Sequence, residues 1–226
     1  HVLVSEWIDG LGFEAVKKLD QPARDRFGEI VFRFFFGSLY RMGHFSGDPH
    51  PGNYLLMPDD RVAFMDFGMT KRIAPAQIER ETAVIRAGLE GDAAELHARL
   101  VEMGFYEAGD PAVDPVRLLA HVQALQGWYA EDREFTISRA YVSRMMVDAG
   151  DPRSEYWDLM KRGTLPPDAL LARRMEALTL GVLGQLDATA NCHRIMAEWL
   201  YAGPPATPLG EAEAVFHKRR PARRAA

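Results

Sequence analysis

Apolar residues recur every three or four positions over most of the chain, which is the spacing of one buried helix face. Between Pro22 and Met42 this face includes Phe27, Val31 and Phe35, which predicts a long and largely buried helix. The same spacing predicts further helices over 13–19, 76–90, 92–103, 115–131, 135–148, 152–162, 167–187 and 191–202. Glycine and proline residues separate these stretches. We therefore expect a mainly helical body.

Three segments in the first third of the chain follow other patterns. Residues 2–8 are rich in β-branched apolar residues and end at an Asp-Gly turn signal, which predicts a short strand. Residues 54–57 and 62–65 are apolar and flank a four-residue polar turn, which predicts a hairpin. Residues 44–53 contain two prolines and two glycines, which predicts a loop. The expected fold class is mainly α with a small β hairpin.

Composition narrows the class of protein. With 226 residues, 47% hydrophobic and 26% charged, the chain resembles an ordinary globular protein, and its one cysteine, Cys192, cannot form an internal disulfide. The formal net charge of −5 argues against a nucleic-acid-binding protein. No apolar run approaches the roughly 20 residues that span a bilayer, so the chain is not expected to cross a membrane. We expect a cytoplasmic protein, with a position at the periphery of the membrane as the alternative. Residues 204–226 are predicted to be a loosely ordered tail, basic because residues 218–224 hold five cations.

The candidate chemistry lies between residues 47 and 68. Asp48 and Asn53 have the spacing Asp-x-x-x-x-Asn, and the predicted hairpin connects them to an Asp-Phe-Gly motif that begins at Asp66. Phosphoryl transfer needs a carboxylate that orients the acceptor and oxygen ligands that hold Mg²⁺ on the phosphates. Protein kinases carry these groups in this order. The sequence therefore predicts that the three side chains converge on one nucleotide and magnesium site.

The longer strings around these residues resemble the UbiB/AarF family of atypical kinases, also called the ABC-one kinase family. The loop of that family reads Asp-Pro-His-Pro-Gly-Asn and is followed by Asp-Phe-Gly-Met, and this chain has the same strings at 48–53 and 66–69. Residues 2–10 are similar to the hinge strand of the family. The resemblance continues more weakly after Pro75 and covers most of residues 1 to about 200.

The resemblance implies a protein-kinase-like C-terminal lobe that begins at the hinge strand. Its implied parts are a hinge strand at 1–10 and a helical lobe at 11–203, with the catalytic loop at 44–53, the hairpin at 54–65 and the Asp-Phe-Gly motif at 66–68. The N-terminal lobe, with its lysine strand and small-residue loop, is absent from the chain. We therefore expect activity in a full-length parent protein and not in this fragment alone.

The resemblance also implies ATP and Mg²⁺ as cofactors and assigns roles to matching positions. Asp48 corresponds to the catalytic-loop acid, and Asn53 and Asp66 correspond to the metal ligands. His50 stands where many kinases place a lysine that contacts phosphate. The backbone near adenine is assigned to the hinge residues Glu6, Trp7 and Ile8.

The function implied by the resemblance is ATP hydrolysis or phosphorylation linked to isoprenoid quinone biosynthesis or lipid homeostasis. Its implied partners are a nucleotide, a lipid or quinone-precursor ligand and a peripheral membrane surface. One alternative is a small-molecule phosphotransferase of the aminoglycoside or choline kinase type, which shares Asp-Phe-Gly and fits Gly47 before the loop aspartate. Another is a pseudokinase scaffold, because Ser46 replaces the histidine usual two residues before that aspartate.

Overall fold

The computed structural model describes residue 2 and residues 4–219. Its helices are α1 (Phe13–Val16), α2 (Gln21–Tyr40), α3 (Pro75–Glu90), α4 (Ala93–Glu102), α5 (Pro115–Gln126), α6 (Arg139–Gly150), α7 (Trp157–Met160), α8 (Pro167–Leu186), α9 (Cys192–Leu200) and α10 (Pro208–Arg219). Its strands are β1 (His44–Ser46), β2 (Tyr54–Leu56), β3 (Val62–Phe64), β4 (Thr70–Arg72), β5 (Phe135–Ile137) and β6 (Ala188–Ala190). The expectation of a mainly helical fold with small β elements is confirmed.

Helix α2 forms the centre of the core. It begins at Asp20, whose side chain accepts a hydrogen bond from the backbone N–H of Ala23 at 3.1 Å, and Pro22 occupies a position where no helical donor is lost. Its buried face is aromatic, and Phe32 and Phe36 each pack against the Trp128 ring, with centroids 5.5 Å apart. Helix α2 also packs against α8, β1 and β6. The predicted buried helix is therefore the element around which the others assemble.

Among the described residues, the strands form three two-stranded antiparallel sheets. The expected hairpin is present as β2 and β3, where Tyr54 pairs with Phe64. The sheets β1–β4 and β5–β6 were not predicted. Each of these strands has three residues, which is too short for alternation to be visible, and the partners are distant in sequence.

Residues 4–10 form no strand, which corrects the strand predicted over residues 2–8. A strand needs a neighbour to accept and donate its backbone hydrogen bonds, and none of the described residues provides one. Val4 and Trp7 are accordingly 86% and 84% exposed. The segment meets the sheet at Leu11, which forms a single antiparallel bridge with Leu56. His1 and Leu3 lie outside the described residues.

The predicted tail also needs correction, because its residues 208–219 form α10. Pro208 starts this helix, and Glu213 binds Arg33 of α2 at 3.3 Å and Arg41, the residue that follows α2, at 2.9 Å, so two cations hold the helix in place. The part of the tail at 220–226, with Arg220, Arg223 and Arg224, lies outside the described residues.

Several helices are shorter than predicted, and α1, expected over 13–19, ends at Val16. The segment predicted as one helix over 135–148 divides into β5 and α6, because β5 pairs with β6 and Ser138 then caps α6 by accepting from the backbone N–H of Tyr141 at 3.1 Å. The helix predicted over 152–162 is reduced to α7, and α5 ends at Gln126. In the part of the chain that is described, no helix is both long and apolar enough to cross a bilayer.

A buried group of charges joins α2 to the end of the chain. The Arg33 side chain is 7% exposed and its Nη2 binds Glu198 Oε1 at 2.7 Å, while its Nε binds Glu29 Oε1 at 2.6 Å. The attached carboxylates raise the pKa of Arg33 even though its burial acts in the opposite direction. The guanidinium thus neutralises carboxylates from several helices in a site that water barely reaches.

We expect Arg33→Ala to lower the free energy of unfolding by about 3–5 kcal/mol, because it leaves the buried Glu198 carboxylate without its cation. The measurement is urea unfolding followed by circular dichroism. Arg153→Ala is the matched control, since Arg153 pairs with Asp151 on the surface and its loss should change stability little. Equal effects of the two substitutions would show that the buried group does not stabilise the fold.

Candidate functional site

The segments that carry the two motifs are held side by side by backbone hydrogen bonds. Strand β1 pairs with β4, and immediately after β1 the N–H of Gly47 donates to the carbonyl of Met69 at 2.7 Å. At the other end of the loop, the N–H of Met65 donates to the carbonyl of Asn53 at 2.9 Å. The loop and the segment around Asp66 therefore meet at two points, one on each side of the candidate site.

The loop itself folds back on short-range contacts. Residues 51–53 form one turn of 3-10 helix, in which the N–H of Asn53 donates to the carbonyl of His50 at 2.9 Å. The buried Tyr54 hydroxyl donates to the carbonyl of Pro49 at 3.3 Å. These bonds satisfy backbone groups that the prolines and glycines leave outside any regular element.

Asp48 and Asn53 are brought into direct contact. The Nδ2 of Asn53 donates to Oδ2 of Asp48 at 3.1 Å, and both residues are partly buried. Because an amide has one donor end and one acceptor end, this bond uses the nitrogen and leaves Oδ1 of Asn53 for another ligand. An amide oxygen is a hard ligand of the kind that Mg²⁺ accepts.

Asp66 follows Met65, whose backbone is bonded to Asn53, and it lies at the exposed edge of the same region. Its Oδ1 accepts from the backbone N–H of Gly68 at 2.7 Å, which fixes the direction of the carboxylate. No hydrogen bond from the described residues reaches its Oδ2. Two carboxylates and one amide are a donor set that fits Mg²⁺ with its waters and phosphate oxygens. Within residues 4–219, no three His, Cys, Asp or Glu side chains gather as a metal site of their own.

His50 is exposed, and its Nδ1 accepts from the backbone N–H of Gly52 at 3.0 Å. A ring nitrogen that accepts a hydrogen bond carries no proton, so the N–H of the neutral ring is at Nε2, which can donate to a ligand. The phosphate contact predicted for His50 stays a prediction.

Two side chains that sequence reasoning missed support the loop from α8. The Nη2 of Arg174 lies 3.5 Å from Oδ1 of Asp48, and its Nε donates to the carbonyl of Gly47 at 3.3 Å. Leu171, one turn earlier on α8, packs against Gly47. Arg174 lies 127 positions after Gly47 in the sequence, and both α8 residues belong to an ordinary amphipathic pattern, so no local signal distinguishes them from surface residues.

Glu6, Trp7 and Ile8 form no hydrogen bond with Asp48, Asn53 or Asp66 among the described residues. The Nε1 of Trp7 donates to Asp9 at 2.9 Å. The segment is attached to the hairpin at Leu11, whose N–H donates to the carbonyl of Leu56 at 2.8 Å. Its predicted position beside adenine stays a prediction.

The fold is that of a kinase-like helical lobe, and comparison with known proteins agrees. The resemblance to the UbiB/AarF family is confirmed, because residues 1–100 match the family described as the ABC1 atypical kinase-like domain. A chloroplastic protein of Arabidopsis thaliana, ACTIVITY OF BC1 COMPLEX KINASE 1, is 30% identical over 51% of this chain and 17% of its own length. The uncharacterized protein slr0889 of Synechocystis is 35% identical over 45% of the chain.

The relatives extend well beyond the region that they share with this chain. The matched region covers 26% of slr0889, so the curated relatives are much longer than the part that they share with this chain. The solved complex of Rv3197 with erythromycin from Mycobacterium tuberculosis superposes with a TM-score of 0.70 at 24% identity, over 88% of this chain and 50% of that protein. This likeness shows that the fold extends well beyond the first hundred residues.

The close approach of α8 to the loop generates a prediction. A Cβ on Gly47 would lie 2.5 Å from Cγ of Leu171, so Gly47→Ala should lower the free energy of unfolding by about 1–3 kcal/mol through overpacking. Adding Leu171→Ala should restore part of the loss by making room. The measurement is denaturant unfolding of the single and double variants.

Gly150→Ala is the control, since a Cβ there meets nothing within 4 Å. If Gly47→Ala were as stable as Gly150→Ala, the packing of α8 on the loop would be looser than the structure describes.

Proposed function

We propose that this chain is the helical lobe of an ATP- and Mg²⁺-dependent atypical kinase or ATPase, and that residues 48–53 and 66–68 form its catalytic site. The observation that carries the proposal is the hydrogen bond from Asn53 to Asp48, together with the backbone hydrogen bond that joins Asn53 to Met65, the residue before Asp66. The match to the ABC1 atypical kinase-like family supports the same function.

The chain supplies oxygen ligands and a positioned carboxylate. Oδ1 of Asn53 and the carboxylate of Asp66 would hold Mg²⁺, which neutralises charge on the phosphates of ATP when it is bound. Asp48 receives the Asn53 amide on one oxygen and faces Arg174 on the other, so its direction is fixed from both sides. A carboxylate held this way can accept a hydrogen bond from the attacking hydroxyl or water and orient it.

The acceptor, the partners and the location are proposed from the resemblance to the UbiB/AarF family. We propose an acceptor in isoprenoid quinone biosynthesis or lipid homeostasis, with a lipid or quinone-precursor ligand and a peripheral membrane contact in the cytoplasm. A small-molecule phosphotransferase is less favoured, because the matching family is that of the ABC1 atypical kinases. The experiment described next distinguishes an active enzyme from a pseudokinase scaffold.

We expect Asp66→Asn to reduce Mg²⁺-dependent ATP hydrolysis by the full-length protein by about 100-fold or more, because a charged metal ligand becomes a neutral one. Asn53→Ala should raise the Mg²⁺ concentration needed for half of the maximal rate. The measurement is phosphate release at a series of Mg²⁺ concentrations.

The matched control is Asp60→Asn in the hairpin turn, where the backbone has a positive φ of 62° that asparagine tolerates. Hydrolysis that is equally fast in Asp66→Asn and in the control would refute the metal assignment. ATP binding without turnover in the unmodified protein would instead indicate the pseudokinase scaffold.

A further inference from the structure

A second site lies inside the helical body, in a cavity of about 530 Å³ that we call the helical cavity. Residues from α2, α3, α5, α6 and α8 contribute to its walls, which are mostly aliphatic and aromatic. Its apolar lining includes Leu100, Leu118, Leu125, Trp128, Met145 and Leu180. Its size and composition are those of sites that enclose a small organic molecule.

One wall of the helical cavity is polar. Arg173 binds Glu81 at 2.5 Å through Nη2 and Glu176 at 3.0 Å through Nη1. The hydroxyl of Tyr40 donates to the other oxygen of Glu176 at 2.9 Å. Burial raises the pKa of the Glu176 carboxyl, while the charge of Arg173 opposes the rise. The wall therefore pairs one cation with two carboxylates and offers no excess of positive charge.

Two polar atoms of residues that line this cavity are left without a partner. Nε of Arg173 and Oε1 of Gln126 are buried and form no hydrogen bond with the described residues. The Gln126 residue is only 8% exposed. Folded proteins rarely leave such atoms unpaired, because each unpaired group costs about 1–3 kcal/mol. One of these atoms is a donor and the other is an acceptor.

The cavity has an exposed rim. Met146 and Leu165 line it and are 39% and 46% exposed. Apolar residues at such a rim leave a path by which an apolar molecule can enter without crossing a charged surface.

We infer that the helical cavity binds an uncharged amphiphile, an aliphatic or aromatic molecule with one hydroxyl or N–H group. A hydroxyl can accept from Nε of Arg173 or donate to Oε1 of Gln126, and both atoms need such a partner. A carboxylate or phosphate head would face Glu81 and Glu176, whose charges already neutralise Arg173. The body of the ligand replaces water against the apolar walls. This inference is independent of the proposed catalytic function.

The test uses N-phenyl-1-naphthylamine, an uncharged aromatic amine whose fluorescence rises in apolar surroundings. We expect saturable binding to the 226-residue protein with one site per chain, and displacement by 1-decanol. Decanoate should displace it at least about tenfold less well, because its charge would have to be buried beside two carboxylates. Equal displacement by decanoate would overturn the inference of an uncharged ligand.

Ala177→Phe places a ring in the cavity and should abolish binding of the amine. The matched control is Ala140→Phe, on the exposed face of α6, which should bind like the unmodified protein. Binding that survives Ala177→Phe, in protein shown by circular dichroism to be folded, would place the probe elsewhere and refute the site.

A second measurement tests the inference even if the Ala177→Phe variant does not fold. In the unmodified protein, 1-decanol should raise the melting temperature in proportion to its binding. In Gln126→Leu, which removes the acceptor while keeping an apolar wall, displacement of the amine should need up to about tenfold more decanol. An unchanged melting temperature with decanol would refute the inference independently of any variant.

Discussion

The candidate site depends on backbone hydrogen bonds between two segments that have little regular structure of their own. The bonds from Gly47 to Met69 and from Met65 to Asn53 fix the distance between the loop and the Asp-Phe-Gly segment. The hairpin between the two segments packs on α2, where the ring of Phe34 stacks on the ring of Phe64 with centroids 3.7 Å apart. The loop can be rich in proline and glycine because its geometry is set by its neighbours rather than by an internal helix or strand.

Two arginines that bind carboxylates on other helices also organise the chain, and Arg33, with 7% of its side chain exposed, is buried more deeply than Arg173, with 34%. Arg33 joins α2 to α9 and α10, and Arg173 joins α8 to α3. Such groups add little net stability compared with apolar packing, but removing one partner is costly, so they favour one arrangement of the helices over others. In both cases the partners lie far apart in sequence, which makes these groups the long-range connections of a fold whose other contacts are mainly apolar.

The motif at the site could be predicted because its parts are local: a spacing of five residues, a short hairpin and a tripeptide. The structure brings Asp48 and Asn53 into contact, as the spacing suggested. Arg174 could not be found in the same way, because its role comes from the packing of α8 and leaves no trace in the residues around it. The prediction of a strand over residues 2–8 was wrong for a related reason. Apolar, β-branched residues favour an extended segment, but a strand forms only where a neighbouring strand pairs with it. Helix α10 was missed because a long-range ion pair, from Glu213 to Arg33 of α2, helps to hold it, and such a pair cannot be predicted from the local sequence.

Helix α8 has two consecutive arginines whose side chains reach different parts of the molecule. Arg173 lines the helical cavity and Arg174 reaches the loop at Asp48. Consecutive side chains on a helix point about 100° apart, so α8 presents one arginine to the helical cavity and the next to Asp48. A small rotation or slide of α8 would change the surroundings of both arginines at once. If a ligand in the helical cavity and a ligand at the loop favour different positions of α8, each ligand must change the affinity of the other by the same factor. Which ligand controls the binding of the other then depends on their concentrations.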